Sequence, residues 1–312
     1  MAVVKYFLDN YKITLIADLS SGRFDNVTAS TSIISLENDK ANGHHEVKIV
    51  EDFDFQGARF KTIVQQEFSN NVSFAFSIFA TGETDQLIKK VENQGERLDK
   101  YCMVFAGGIA TGPGKKDYIA SKPLSDKYRP LIEGKDVKQY CVVFDNKYIL
   151  YDRKKLYRAR EEHIFLSPQK LITRRIGGSS TPLVVAYDDK QFYTFNSTNC
   201  ILPKTPFVVD LKYLLAILNS RLLNWYYYIR FTNKSTLTVN ISKTFLEQLP
   251  IKKIDSKAQA HLVTPSVDRI LAAKKHDSET DTTALEREID LLVYDLYGLT
   301  AEEISIVEGK SF

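Results

Sequence analysis

The sequence predicts an α+β protein with a helical C-terminus, and three features predict it. Apolar residues recur at helical spacing from Leu211 to Ile229. Short alternating runs separated by glycine, proline and asparagine fill most of 104–202. The last sixty or so residues are helical in pattern and acidic. With 312 residues, 44% hydrophobic and 26% charged, the composition is that of a globular chain long enough for more than one domain. No apolar run approaches the ~20 residues of a membrane span, and the N-terminus lacks a signal-peptide pattern. Cys102, Cys141 and Cys200 are dispersed with no CxxC spacing, so they are read as reduced structural thiols of a cytoplasmic protein.

From the start, Val4, Phe7, Leu8 and Tyr11 predict a short helix, and Ile13, Leu15 and Ile16 a buried strand ending near Asp18. Further strands are expected at 30–36 and 47–50. Phe74, Phe76 and Ile78 alternate as an extended aromatic run, and 84–101 carries a helical stripe of Leu87, Ile88, Val91 and Leu98. Strands are expected at 141–144 and 148–151, joined by Asp145-Asn146. The charged stretch 153–162 reads as helical, with a solvated face as the plain alternative. Strands at 171–175, 183–187 and 192–195 follow, with turns at 176–182 and 196–199. Asp210 and Ser242 stand where helix N-caps belong, and Pro250 ends the second of those helices. Helices at 263–275 and 283–297, the latter stopped by Gly298, complete the chain.

Net charge is only +3, but it is unevenly spread. Residues 98–251 hold 24 Lys and Arg against 13 Asp and Glu, a balance of +11. The segments on either side each carry −4. A basic middle between acidic ends fits a polyanionic partner; an uneven solvated surface is the structural alternative. Metal and nucleotide chemistry find little support. His44-His45 has no further ligands at metal spacing. Glu46-Val47-Lys48 has nuclease-like wording, with Asp39 upstream, but lies in an expected strand. The loop ending Gly114-Lys115-Lys116 fails the Walker pattern at two positions.

Several stretches resemble the TaqI-like adenine-specific DNA methyltransferases, including the fused type IIG restriction-modification enzymes. They are Gly108-Ile109 with Thr111-Gly112, "PLIEGKDVKQY" at 130–140, and "LLAILNSRLLNWYYYIRF" followed by "LEQLPI" up to Ile251. "YFLDNYKITLIADLSSGRFDNVTASTSIISLEN" resembles the late strands of that family's methyltransferase fold, and "IDLLVYDLYGLTAEEISIVEG" its usual ending. The resemblance implies three parts. Residues 1–75 are the end of a methyltransferase-like α/β fold, 76–251 a mixed α/β target-recognition domain, and 252–312 a helical C-terminal region.

The family's FxGxG-like S-adenosylmethionine loop and (N/D)PP(Y/F) tetrapeptide do not occur in this sequence. The implied role is therefore recognition of double-stranded DNA, with no catalytic residue and no cofactor in this chain. A partner polypeptide would carry the missing methyltransferase or restriction motifs, and S-adenosylmethionine would belong to the parent enzyme. Two alternatives stand beside this: a piece or subunit of an active methyltransferase or type IIG enzyme, and a protein–protein module whose basic face meets an acidic partner.

Within this frame the expected DNA contacts are Lys115 and Lys116 beside the glycine-rich turn, where backbone amides can approach phosphate. Arg174, Arg175, Ser179, Ser180 and Asn199 form the expected reading surface, since arginine forks fit guanine edges or phosphates and asparagine fits adenine edges. Strand alternation lets only one of Arg174 and Arg175 face the DNA. Arg230 and Lys234, at and after the end of the long helix, complete the set.

Overall fold

A computed structural model describes residues 2–19, 31–54, 57–70, 76, 78, 82–205, 209–232, 238–252 and 263–309. They form two compact units, one of residues 1–82 with 229–236 and the other of 83–228 with 237–312.

In the first unit, helix Ala2–Asn10 leads into a four-stranded sheet. Its order is Ser32–Glu37, Lys12–Asp18, Glu46–Asp54, Gly57–Val64. Lys12–Asp18 runs antiparallel to the first of these and parallel to Glu46–Asp54. Leu8, Ile13, Ile16, Val47, Ile49 and Phe68 share one core. Gln65 joins the strand start to the helix end: its Oε1 accepts from Ile13 N at 2.8 Å and its Nε2 donates to Tyr11 O at 2.8 Å. The strand Gly57–Val64 was not expected; its Phe60 is 60% exposed, while Ile63 packs against the core. The helix Gln65–Asn70 follows it directly. Of the expected aromatic run, Phe76 and Ile78 lie outside regular strands, and Ile78 is buried in the same core; Phe74 lies outside the described residues.

The second unit is built on an antiparallel sheet in the order Val185–Asp188, Lys170–Arg174, Thr198–Pro203, Cys102–Ala106. A second sheet has the order Tyr193–Thr194, Tyr128–Ile132, Tyr148–Leu150, Ile119–Ala120. Lys170 and Asp188 pair at 2.5 Å, both fully buried. Asp188 also accepts from Lys190 N and Phe192 N, while Lys170 Nζ donates to Phe165 O. The buried charges are thus hydrogen-bonded as well as paired, which burial in low dielectric demands.

Several elements differ from expectation. The helix expected over 84–101 is Gly82–Gln94, because Glu96–Arg97 instead pairs with Pro250–Ile251. The expected strand 141–144 is an irregular connection: Tyr140 turns the chain at φ 69°, and only Val142 bridges, to Val137. The expected helix over 153–162 does not form. Arg158 pairs through its backbone with Ala110, and helix is confined to Glu162–Phe165.

The stripe from Leu211 forms two helices, Leu211–Asn219 and Arg221–Phe231. Ser220 separates them: its extended backbone ends the first, and its Oγ accepts from Leu223 N at 3.3 Å in the second. Every residue of the first helix except Lys212 is buried, so it is a core helix apolar nearly all round. The expected caps are present, with Lys212 N donating to Asp210 and Phe245 N to Ser242. Helices Thr264–His276, Thr283–Leu296 and Ala301–Glu308 pack in this unit. They are tied to it by Lys212–Asp268 at 2.6 Å and by Arg221 N donating to Asp290 at 2.8 Å.

Candidate nucleic-acid interface

At the end of the central strand Lys170–Arg174 the chain breaks stride for one residue before resuming as Ile176–Gly177. Arg174 and Arg175 both line one cleft of about 590 Å³. Lys135 joins them from the turn Gly134–Asp136, and Asn196 and Ser197 come from the turn before Thr198–Pro203. Thr238 and Asn240 close the far side. Among the described residues, the cleft wall holds three cations and no carboxylate.

Main-chain carbonyls hold both guanidinium groups in place. Arg174 Nε donates to Val137 O at 2.7 Å, and Arg175 Nη1 to Asn196 O at 3.2 Å. Neither arginine has its charge neutralised by these contacts. Partial burial pulls the Arg174 pKa below its ordinary value, which marks a cation with incomplete hydration. Arg175 Nε is buried with no hydrogen-bond partner among the described residues. Such a site gains by meeting an anion, since charge-assisted bonds to phosphate would replace lost water.

The other expected residues fall in different places. Asn199 is corrected from a turn to the second residue of the strand Thr198–Pro203, where it is fully buried. Its Nδ2 donates to Ile241 O at 3.1 Å, so it supports the cleft from behind and presents nothing to solvent. Ser179 and Ser180 line a separate cleft with Trp225, Tyr228 and Arg287, away from the arginine pair. Arg230 lies in the last turn of Arg221–Phe231, within the segment grouped with the first unit. Lys234 lies outside the described residues. Lys115 and Lys116 open the helical turn Lys115–Tyr118, and their side chains are likewise outside what is described.

The glycine-rich turn itself has a packing reason. A Cβ on Gly108 would lie 1.9 Å from Thr194 O, so this position needs glycine whatever approaches from solvent. Sequence reading missed Lys135, Thr238 and Asn240, and from the turn 196–199 it chose Asn199 where the cleft is lined by Asn196 and Ser197. Only Lys135 carried a usable signal, its charge in a glycine turn; the rest are ordinary polar residues gathered by the fold. In the His44-His45 and Glu46-Val47-Lys48 stretches, two side chains make contacts within the first unit. His45 Nε2 contacts Ile13 O at 2.9 Å, and Lys48 Nζ lies 4.2 Å from the Phe60 ring centroid. Among the described residues there is no cluster of three or more potential metal ligands. No described helix is long and apolar enough to cross a membrane.

Residues 129–251, which include the whole cleft, match the TaqI-like C-terminal specificity domain. Over 190 residues the chain is 26% identical to a putative type II restriction enzyme and methyltransferase of Methanocaldococcus jannaschii. That stretch is 57% of this chain and 15% of the relative. The solved structure of MmeI, a type IIL restriction-modification enzyme in complex with DNA, shares the fold at TM-score 0.53 and 11% identity. The similarity covers 96% of this chain and 46% of that one. The chain therefore spans less than half the length of either protein, and it resembles the C-terminal part of such enzymes.

Proposed function

We propose that this chain recognises a sequence in duplex DNA as the specificity portion of a restriction-modification system. The premise is the TaqI-like C-terminal specificity domain matched by residues 129–251. The observation that carries the reading is the acid-free cleft inside that stretch, with Arg174 and Arg175 held by main-chain carbonyls at its wall. The excess of basic residues over 98–251 would neutralise backbone phosphates around it. Phosphate contacts position such a protein and base-edge contacts specify the site, and the cleft offers groups for both.

Methyl transfer and strand cleavage belong, on this reading, to polypeptide that carries the motifs absent here. S-adenosylmethionine would be bound there and not by this chain. The functional assembly would then join this recognition portion to a methyltransferase or restriction polypeptide in the cytoplasm. Selection from a random duplex library, followed by sequencing, tests the recognition claim. An enriched motif of a few defined positions supports it, and enrichment of nothing above background rejects it.

A further inference from the structure

Two short strands, Ile176–Gly177 and Val239–Asn240, form an antiparallel ribbon at the mouth of the cleft. Ile176 is directly opposite Asn240, and Gly177 opposite Val239. Cross-strand partners project to the same face, and successive residues to opposite faces. The inward pair is Gly177 and Val239, both buried. A Cβ on Gly177 would lie 2.0 Å from Pro182 O, so the ribbon sits tight on the body. The outward pair is Ile176, 63% exposed, and Asn240, also exposed.

The ribbon is anchored at several points. Ile241 N donates to Arg175 O at 2.8 Å, extending the pairing by one rung. Tyr227 Oη donates to Asn240 O at 2.9 Å, and buried Asn199 holds Ile241 O. A fixed ribbon therefore holds out one large apolar side chain and one amide side by side, within a cationic cleft. The exposed isoleucine would gain by covering an apolar group on whatever enters the cleft.

We propose that the Ile176–Asn240 pair reads one A·T base pair in the major groove. This rests on the duplex-recognition reading above. A two-stranded ribbon fits that groove, where adenine presents N7 and N6–H₂ and thymine its C5-methyl group. The Asn240 amide donates to adenine N7 through Nδ2 and accepts from N6–H through Oδ1. Ile176 covers the thymine methyl of the same pair. Arg174, Arg175 and Lys135 hold the flanking phosphates or neighbouring guanines.

The test measures affinity of wild type, Ile176→Ala and Asn240→Ala for the duplex selected by the wild type. Each A·T pair is altered in turn, with uracil for thymine or 7-deazaadenine for adenine. At one pair, uracil should weaken wild-type binding about fourfold, the worth of one buried methyl, and leave Ile176→Ala unchanged. At the same pair, 7-deazaadenine should cost the wild type roughly tenfold and Asn240→Ala nothing further. Both side chains are exposed, so the variants should keep the wild-type unfolding midpoint, which is checked alongside. Analogue effects that add to the substitutions at every pair, or a selected target without A·T pairs, overturn the assignment. A wild type that selects no sequence overturns the recognition reading itself.

Discussion

The side-chain amide of Asn219 closes both backbone groups of Val185. Val185 N donates to Asn219 Oδ1 at 3.0 Å, and Asn219 Nδ2 donates to Val185 O at 2.9 Å. Val185 begins an edge strand, so the amide stands where a neighbouring strand's peptide would. Asn224 repeats the move five residues on, accepting from Leu183 N at 2.8 Å. The break at Ser220 lets the first helix end with Asn219 aimed at the sheet. Replacing Asn219 by leucine leaves the buried Val185 N–H unmet, while Val185 O keeps its bond from Tyr140 N. The expected cost is about 1–3 kcal/mol, read from the urea midpoint at unchanged m-value.

Lys170 and Asp188 face each other at the last rung between their strands, with no exposure. Lys170→Met should cost about 3–5 kcal/mol, since it strands a buried carboxylate. Asp188→Asn should cost less, because the amide oxygen can still accept one backbone donor at Lys190 or Phe192. Equal losses in the two variants would show that the charge pairing, broken in both, outweighs the hydrogen bonds that asparagine keeps.

The thiols give a pH prediction. Burial pushes the Cys102 pKa up to about 12, and Cys200 is raised for the same reason. The folded state therefore holds the Cys102 proton more tightly than the unfolded chain. That contribution is fully present below the unfolded pKa of about 8.5 and is lost as pH rises towards 12, by up to about 1.4 kcal/mol per unit. Cys102→Ala should flatten this alkaline limb in urea titrations at pH 8 to 11. At pH 8, a thiol reagent should reach the half-buried Cys141 first and the other two only after unfolding.

Much of the fold was legible because burial left periodic patterns. The helix starts at Asp210 and Ser242, the N-terminal helix and strand, and the C-terminal helices follow from caps and stripes that local chemistry enforces. The failures are tertiary. Ser220 is an N-cap residue type, but the unbroken apolar stripe on both sides of it hid the helix break. Residues 153–162 look helical by charge, yet Ala110 captures Arg158 by backbone pairing. The candidate site was half legible. Arg174 and Arg175 stand out by charge after an apolar strand, but the partners that line one cleft with them come from distant turns and have no sequence mark. Asn199 was legible as polar and invisible as buried, because strand pairing decides which residues of a turn face inward.

Lys135, unlike the two arginines, is an exposed cation on the cleft wall. Lys135→Ala should weaken binding to all duplexes alike and reduce the log–log salt slope by about 0.9, the signature of one phosphate contact. Arg174→Ala should instead relax the preference at one or two positions if its fork meets a base edge, at roughly 1–3 kcal/mol each. Competition between the selected duplex and its single-base variants separates the two.

The most direct test of the central claim is a salt titration of affinity for the selected duplex and a scrambled one, with wild type and Arg174→Ala/Arg175→Ala. The account predicts a steep loss of wild-type affinity with salt and a tenfold or greater preference for the selected duplex. That preference should collapse in the double variant while folding is retained. No duplex binding at 50 mM salt, or an unchanged preference in a folded double variant, would contradict it.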